Sequence, residues 1–307
     1  MPVRALVVDP SAPEAVRAAD VPDPVPGPGQ VLVDVSHVSL NRGDLNDARS
    51  GRIPAGAVLG SDAAGVVVRA AADGTGPTAG TRVVALTGGA FAERIAVDAA
   101  ALAEVPAELD PARAAALPVA GVAALRSLRA AGLAPGKRVL VTGASGGVGR
   151  YAVQLAAQAG AHVIASVGSA PRRKGLARAG ADEVLIGLEG LHRPVDIVID
   201  GVGGPQLVAA WNLLAPGGSL QSVGWASGES AVFPPYATVG PAKSLTSFVI
   251  DGAAGADLAV LAGLAAEGAL TVDIGWQGPW DRFEEAATAL RDRRINGKAV
   301  LTPAPQP

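Results

Sequence analysis

The sequence contains no cysteine. Disulfides, a cysteine nucleophile and any zinc site with thiolate ligands are therefore excluded. Aromatic residues are also scarce, at 3%, too few for a platform that stacks nucleic-acid bases. No apolar run reaches the roughly 18 uninterrupted residues of a membrane-spanning helix, and the positive mean hydropathy comes largely from alanine and valine. The net charge of −3 supplies no broad basic field for nucleic acid or an anionic membrane. Met1 to Pro10 has neither a long apolar core nor a cleavage signal, so no secretory peptide is expected. What is present is a chain of 307 residues, 49% hydrophobic and 17% charged. Such a chain folds, and is long enough for two cores of ordinary size. The expectation is a cytoplasmic protein with neither a nucleic-acid nor a membrane partner.

One stretch organises the rest: Lys137-Arg-Val-Leu-Val-Thr-Gly-Ala-Ser-Gly-Gly-Val-Gly149 and the helical run after it. Val139 to Val141 is short, apolar and β-branched, as a buried strand is. A glycine-rich turn follows, and then Val148, Ala152, Leu155, Ala156 and Ala159 recur at helical spacing up to Gly160. A strand, a tight glycine turn and a helix place a pyrophosphate on a helix N-terminus. The pattern is A-x-G-x-x-G from Ala144, preceded by Gly143. Gly146 leaves no Cβ where phosphates approach the backbone, and Gly149 lets the helix lie close on the sheet.

Residues 1 to about 113 read as short β-branched strands: Ala5–Val8, Gln30–Val35, Gly65–Val68 and Arg82–Leu86, separated by Pro- and Gly-rich joints. They predict a compact β-barrel-like domain. From Pro111 the pattern changes. Helices are expected over Ala112–Leu117 and Ala120–Ala131, then the glycine turn, then a strand over Ala161–Ala165 and a helix over Arg172–Ala179. Strands follow at Glu183–Ile186 and Asp196–Asp200, a helix at Leu207–Leu214 ending in Ala215-Pro-Gly-Gly218, and a strand over Ser219–Gly224. Strands alternating with helices predict a doubly wound parallel sheet. After about residue 242 come helices at Ala256–Glu267 and Trp280–Arg293 and a late strand at Gly297–Leu301. These add no regular βα repeat and are expected to pack back on the first domain.

An NAD-preferring fold carries Asp or Glu about 20 residues past the fingerprint, for the ribose 2′-hydroxyl. Here Ser166 ends the second strand, and Ser169, Arg172, Arg173 and Lys174 follow. Cations and hydroxyls at that point suit a 2′-phosphate. The expected cofactor is NADPH.

These residues, taken together, resemble a known family. Ser39-Leu-Asn-Arg-Gly-Asp44, Leu59-Gly-Ser-Asp-Ala-Ala-Gly-Val66, Gly80-Thr-Arg-Val-Val84, Val139–Gly149 with Ala152-Val-Gln-Leu155, Gly180-Ala-Asp-Glu183, Asp200-Gly-Val-Gly-Gly204, Leu214-Ala-Pro-Gly-Gly218 and Gly297-Lys-Ala-Val-Leu301 run in family order across nearly the whole chain. They resemble the zinc-independent medium-chain dehydrogenase/reductases of the quinone oxidoreductase (zeta-crystallin-like) branch. The resemblance implies an α/β chain: a GroES-like catalytic domain over residues 1–113, an inserted Rossmann NADP-binding domain over 114–242, and a segment over 243–307 that completes the catalytic domain. It implies a homodimer through the nucleotide-binding domains. It implies cofactor contacts from Ala144, Ser145, Gly146, Gly147, Val148, Ser166, Ser169, Arg172, Val223, Gly224, Trp225 and Arg293. It also marks Asn41 and Asp44 as the polar pair beside the reacting ring.

Zinc-dependent relatives carry a cysteine ligand where this chain has Asn41 and a histidine ligand where it has Ser61. Neither replacement is a good zinc ligand, and His37, His162 and His192 are scattered, so no metal is expected. Without zinc, hydride transfer needs an acceptor whose developing charge is small or delocalised, as in quinones and α,β-unsaturated carbonyls. The protein then holds the acceptor against the nicotinamide and excludes water. Asn41 could bond the acceptor carbonyl or the cofactor, and Asp44 could orient its neighbours.

The chain departs from its relatives at several positions. Leu45 and Asn46 stand where a tyrosine is common, Val122–Leu125 is apolar where threonine and tyrosine are common, Gly187 replaces a tyrosine, and Trp225 replaces a small polar residue. An apolar site able to stack a flat substrate is expected, with few proton donors. The function read from the sequence is an NADPH-dependent reductase of a quinone or a conjugated enone. The alternatives are an enoyl reductase tailoring a polyketide-type product and a non-catalytic NADPH-binding sensor or structural protein.

Overall fold

The computed structural model describes residues 1–303. The chain divides into two compact units, one formed by Met1–Val122 with the stretch from Gly252 onward, the other by Ala123–Asp251. Among the described residues no helix is long and apolar enough to cross a membrane.

The first unit is built on strands β1 (Val3–Val8), β2 (Val16–Val21) and β3 (Gln30–Leu40), helix α1 (Arg42–Ser50), strands β4 (Asp62–Arg69), β5 (Arg82–Leu86), β6 (Arg94–Asp98) and β7 (Leu102–Glu104), helix α2 (Pro111–Ala115) and the start of helix α3 (Pro118–Ala130). Strand β3 is its spine. It runs antiparallel to β4 and carries β6 along its first half, Gln30 to Asp34. A register shift between Val35 and His37 changes the phase of the alternation, as a bulge does. Val31, Val33 and Val35 before it, and Val38 and Leu40 after it, therefore all enter one core with Leu45, Leu59, Phe91, Ile95 and Val97.

The second unit contains β8 (Arg138–Thr142), α4 (Gly147–Gln158), β9 (His162–Val167), β10 (Glu183–Ile186), β11 (Val195–Asp200), α5 (Gly204–Asn212), β12 (Leu214–Ser222) and β13 (Ser244–Ser247). Its strands pair in the order β10-β9-β8-β11-β12-β13, all parallel. Counted along the chain this is 3-2-1-4-5-6, the Rossmann order, in which the direction of winding reverses between the first and fourth strands. The reversal here lies between β8 and β11. Strand β8 is buried from Val139 to Thr142, as its β-branched run predicts.

The chain then returns to the first unit with α6 (Gly255–Ala266), β14 (Ile274–Pro279), α7 (Phe283–Arg291) and β15 (Lys298–Thr302). Strand β15 lies antiparallel on the second half of β3, Val38 to Leu40, and β14 lies parallel on β15. Helix α7 sends Phe283, Ala286, Ala287 and Ala289 into the core already described. Helix α6 packs on β5 and β7.

Several local expectations are corrected. Arg172–Ala179 is not a helix: a short 3-10 segment, Ala170–Arg173, gives way to turns, because Pro171 removes a donor and Gly175 adopts φ +83°. Ala215-Pro-Gly-Gly218 does not end a helix. It bulges out of β12, where Leu214 pairs with Val195 and Ser219 pairs with Ile197. The sequence reading places domain boundaries at 113/114 and 242/243; the two compact units meet in the chain at Val122/Ala123 and Asp251/Gly252. Helix α2 packs on β3 and β4, Val119 donates its backbone N–H to Asp62, and β13 extends the parallel sheet beyond residue 242.

Candidate functional site

In the second unit the chain leaves β8 through Gly143 and enters α4 at Gly146. A Cβ on Gly149 would lie 2.5 Å from the Gly143 carbonyl oxygen and 2.6 Å from Ala144 Cα. Only glycine allows that approach of helix to turn. A Cβ on Gly146 would meet only the Gly143 carbonyl oxygen, at 3.3 Å, so space is open over the turn. Gly147 and Val148 follow as the first residues of α4, whose amides have no acceptor within the helix and carry the positive end of its dipole. Ala144 and Ser145 are buried beneath.

Arg172 is brought to this turn, its Nε donating to Ser145 Oγ at 2.8 Å. A guanidinium therefore borders the turn, and a serine, Ser166, rather than a carboxylate stands one residue before the end of β9. The Ser166 side chain is fully buried. It donates to the Gly187 carbonyl at 2.9 Å and accepts from Gln206 Nε2 at 3.0 Å. Ser166 thus works inward, tying β9 to the loops beside it. Ser169 is exposed at the start of the short 3-10 segment.

The strands that flank the reversal are clamped together. Thr142 Oγ1 donates to Asp200 Oδ1 at 2.5 Å and accepts from the Gly201 N–H at 3.1 Å. Asp200 Oδ2 accepts from the Gly203 N–H at 2.8 Å. Burial pushes the Asp200 carboxyl up, against these hydrogen bonds. Val223 and Gly224 leave β12 with both amides donating to the Asp200 carbonyl. Trp225 comes next: its indole lies flat on Gly203, whose Cβ it would otherwise overlap, and its Nε1 donates to the Glu229 carbonyl at 2.6 Å. Trp225 stays 45% exposed, and its held indole presents a rigid apolar face.

In the first unit a buried polar cluster stands where β3, β4, α1 and β15 meet. Asp44 sits in the first turn of α1. Its Oδ2 accepts the Asn41 backbone N–H at 2.8 Å, as the acidic half of a capping box does, and its Oδ1 accepts from Ser61 Oγ at 2.9 Å. Asn41 Nδ2 donates to Asp62 Oδ2 at 2.9 Å and, more loosely, to the Ser39 carbonyl at 3.4 Å. Lys298 Nζ donates to Asn41 Oδ1 at 2.5 Å and to Asp62 Oδ2 at 3.2 Å, closing a ring of ammonium, amide and carboxylate. The Lys298 and Asp62 side chains are 4% and 0% exposed. Burial above all, with repulsion from Asp62, pushes the Asp44 carboxyl up to about 7, opposed by its bonds to Asn41 and Ser61 and by Lys298. Among the described residues no group of three or more His, Asp or Glu is arranged to hold a metal ion.

The structure thus brings Ser145, Gly146, Gly147, Val148 and Arg172 together on one turn, and sets Val223, Gly224 and Trp225 beyond β12. Arg293 belongs to the other unit, exposed and left-handed at φ 58° just after α7. Asn41 and Asp44 share one cluster. Lys298, Asp62, Thr142, Asp200 and Gln206 received no role from the sequence. For Lys298 a signal existed: a lone lysine inside an apolar strand is expected to be paired when buried.

A glycine turn at the winding reversal of a Rossmann-order sheet, inserted in a β-rich unit, defines a dinucleotide-binding protein of two-domain type. Comparison with known proteins agrees. The alcohol dehydrogenase GroES-like domain model matches residues 27–107, and the zinc-binding dehydrogenase model matches residues 147–267. Erythronolide synthase EryA2 of Saccharopolyspora erythraea is 36% identical over 227 residues, 67% of this chain but 6% of the synthase. Prostaglandin reductase-3 of Bos taurus is 34% identical over 243 residues, 74% of this chain and 64% of the reductase. The chain therefore matches less than two thirds of the length of these relatives. A solved mycobacterial structure complexed with NADPH superposes with a TM-score of 0.85 at 28% identity, covering 99% of this chain and 100% of the other. The chain belongs to the medium-chain dehydrogenase/reductase family.

Proposed function

We propose that the protein is an NADPH-dependent oxidoreductase that transfers hydride, without zinc, to a quinone or an α,β-unsaturated carbonyl. The observation that carries this reading is the closed ring of Asn41, Asp62 and Lys298. Side chains bonded to one another, rather than free ligand atoms, fill the neighbourhood in which zinc-dependent relatives hold metal. Acceptors that delocalise charge need no metal there. The looser N–H of Asn41, now 3.4 Å from the Ser39 carbonyl, is the one able to turn to an acceptor carbonyl.

The cofactor fits the residues present. The amides of Gly147 and Val148 and the open face of Gly146 would receive the pyrophosphate. Arg172, held at Ser145, would pair with a 2′-phosphate, with Ser169 beside it. When bound, the nicotinamide supplies the hydride; the chain's own part is to orient both partners and exclude water. Trp225 offers its flat face to the cofactor. Arg293 is assigned to the cofactor on the family resemblance alone. A homodimer through the second unit is supported by β13, an edge strand exposed along its whole length. Val232, Tyr236, Val239 and Val249 are exposed in the segments before and after it.

A more specific reading, an enoyl reductase tailoring a polyketide-type product, is favoured by the identity shared with the erythronolide synthase. Stopped-flow oxidation of NADPH against a panel of quinones and conjugated enones tests the proposal. Turnover that survives chelation is expected. Tight NADPH binding with no oxidation by any acceptor would overturn it in favour of a non-catalytic sensor.

A further inference from the structure

Reduction of an enone by hydride leaves an enolate that still needs one proton, and the reading above names no donor. The cluster in the first unit contains one. Two carboxylates, Asp44 and Asp62, share a single buried cation, Lys298. That cation is bonded to Asp62, which also accepts N–H groups from Val119 and Asn41. Asp62 is therefore the carboxylate to which the buried cation is bound. Among the described residues Asp44 accepts from no cation; its bonds come from the Asn41 backbone N–H and the Ser61 hydroxyl. The charged groups that act on it are Asp62 from β4 and Lys298 from β15. Like charges in one dry site do not both ionise readily, so Asp44 is the one that keeps a proton. Ser61 is half-buried and Asp44 is buried; with Asp44 protonated, the 2.9 Å contact reverses, Asp44 Oδ1–H donating to Ser61 Oγ and the Ser61 hydroxyl being released to turn away from it.

We propose that Ser61 and Asp44 form a proton relay, in which Ser61 Oγ protonates the reduced acceptor and Asp44 resupplies Ser61. The inference rests on the proposed hydride transfer to a conjugated acceptor. The acceptor has by then gained two electrons and one hydrogen. The Ser61 Oγ–H bond breaks as the enolate gains its proton. The Asp44 Oδ1–H bond breaks as Ser61 Oγ recovers one, and the Asp44 carboxylate is reprotonated from solvent between turnovers. Burial and Asp62 raise the Asp44 carboxyl to about 7, which suits a donor working near neutral pH.

The test uses Ser61→Ala, Ser61→Thr and Asp44→Asn with a conjugated enone as acceptor. Ser61→Ala is expected to lower enone turnover by about a hundredfold while NADPH affinity holds, and Ser61→Thr to restore most of it. Infrared titration of the cofactor-free protein supplies a readout independent of turnover. A protonated carboxyl band titrating near neutrality is expected in the wild type, shifted in Ser61→Ala and absent in Asp44→Asn. Enone turnover within about twofold of wild type in Ser61→Ala, or no such band in the wild type, would overturn the relay. Should the wild type oxidise no NADPH at all, the hydride reading fails, while the infrared titration still reports on the pair.

Discussion

The two units build their sites from different materials. In the second, the cradle is mostly backbone and empty space: Gly146 and Gly149 matter for the atoms they lack, and Arg172 is a charged side chain held at the turn. In the first, the site is made of side chains bonded to one another, with Asn41, Asp44, Asp62 and Lys298 closing a buried network. A backbone cradle tolerates changes around it but not an added Cβ. A buried charge network tolerates nothing that unbalances it.

Lys298→Met breaks that comparison most severely. It leaves Asp62 fully buried without its cation, a loss of roughly 3–5 kcal/mol. Denaturant unfolding should show that loss, and Asp62→Asn in the same background should recover part of it. Asp44 gives the next largest effect, as a pH dependence. Its folded carboxyl lies near 7 against an ordinary 3.8, so the unfolded state releases the proton first as pH rises. The stabilisation is complete below about pH 4, falls through the window up to about 7, and amounts to at most about 4 kcal/mol. Unfolding free energies of wild type and Asp44→Asn should converge at the acid end and diverge in favour of the variant towards neutrality. Gly149→Ala tests the other side. A methyl 2.5 Å from the Gly143 carbonyl oxygen forces the helix off the turn, for about 1–3 kcal/mol, and dinucleotide affinity should fall more than stability does.

The same contrast explains what the sequence made legible. Glycine spacing and β-branched runs disclose a strand, a turn and a helix because backbone geometry is written locally, and the alternating pattern then yields the parallel sheet. Partners across the chain are not written locally. Taken as the end of its strand, Ser166 is expected at the ribose, yet β9 runs on to Val167 and the Ser166 hydroxyl is taken up by Gly187 and by Gln206, which stands 40 residues away. In the sequence Lys298 is part of an apolar strand, and only the folded chain brings it to Asp62, 236 residues distant. The run after Arg172 has helical composition, but Pro171 and Gly175 override it. Asn41 and Asp44 were picked out by family likeness; their bonds to Lys298 and Ser61 could not be.

Cofactor preference turns on Arg172, a charged side chain held at a cradle made largely of backbone. Calorimetric titration of wild type and Arg172→Ala with NADPH and with NADH tests it most directly. Wild type should bind NADPH at least tenfold more tightly than NADH, about 1.4 kcal/mol or more, and Arg172→Ala should erase the difference by weakening NADPH alone. Equal affinities in the wild type, or a preference that survives in Arg172→Ala, would contradict that role of Arg172.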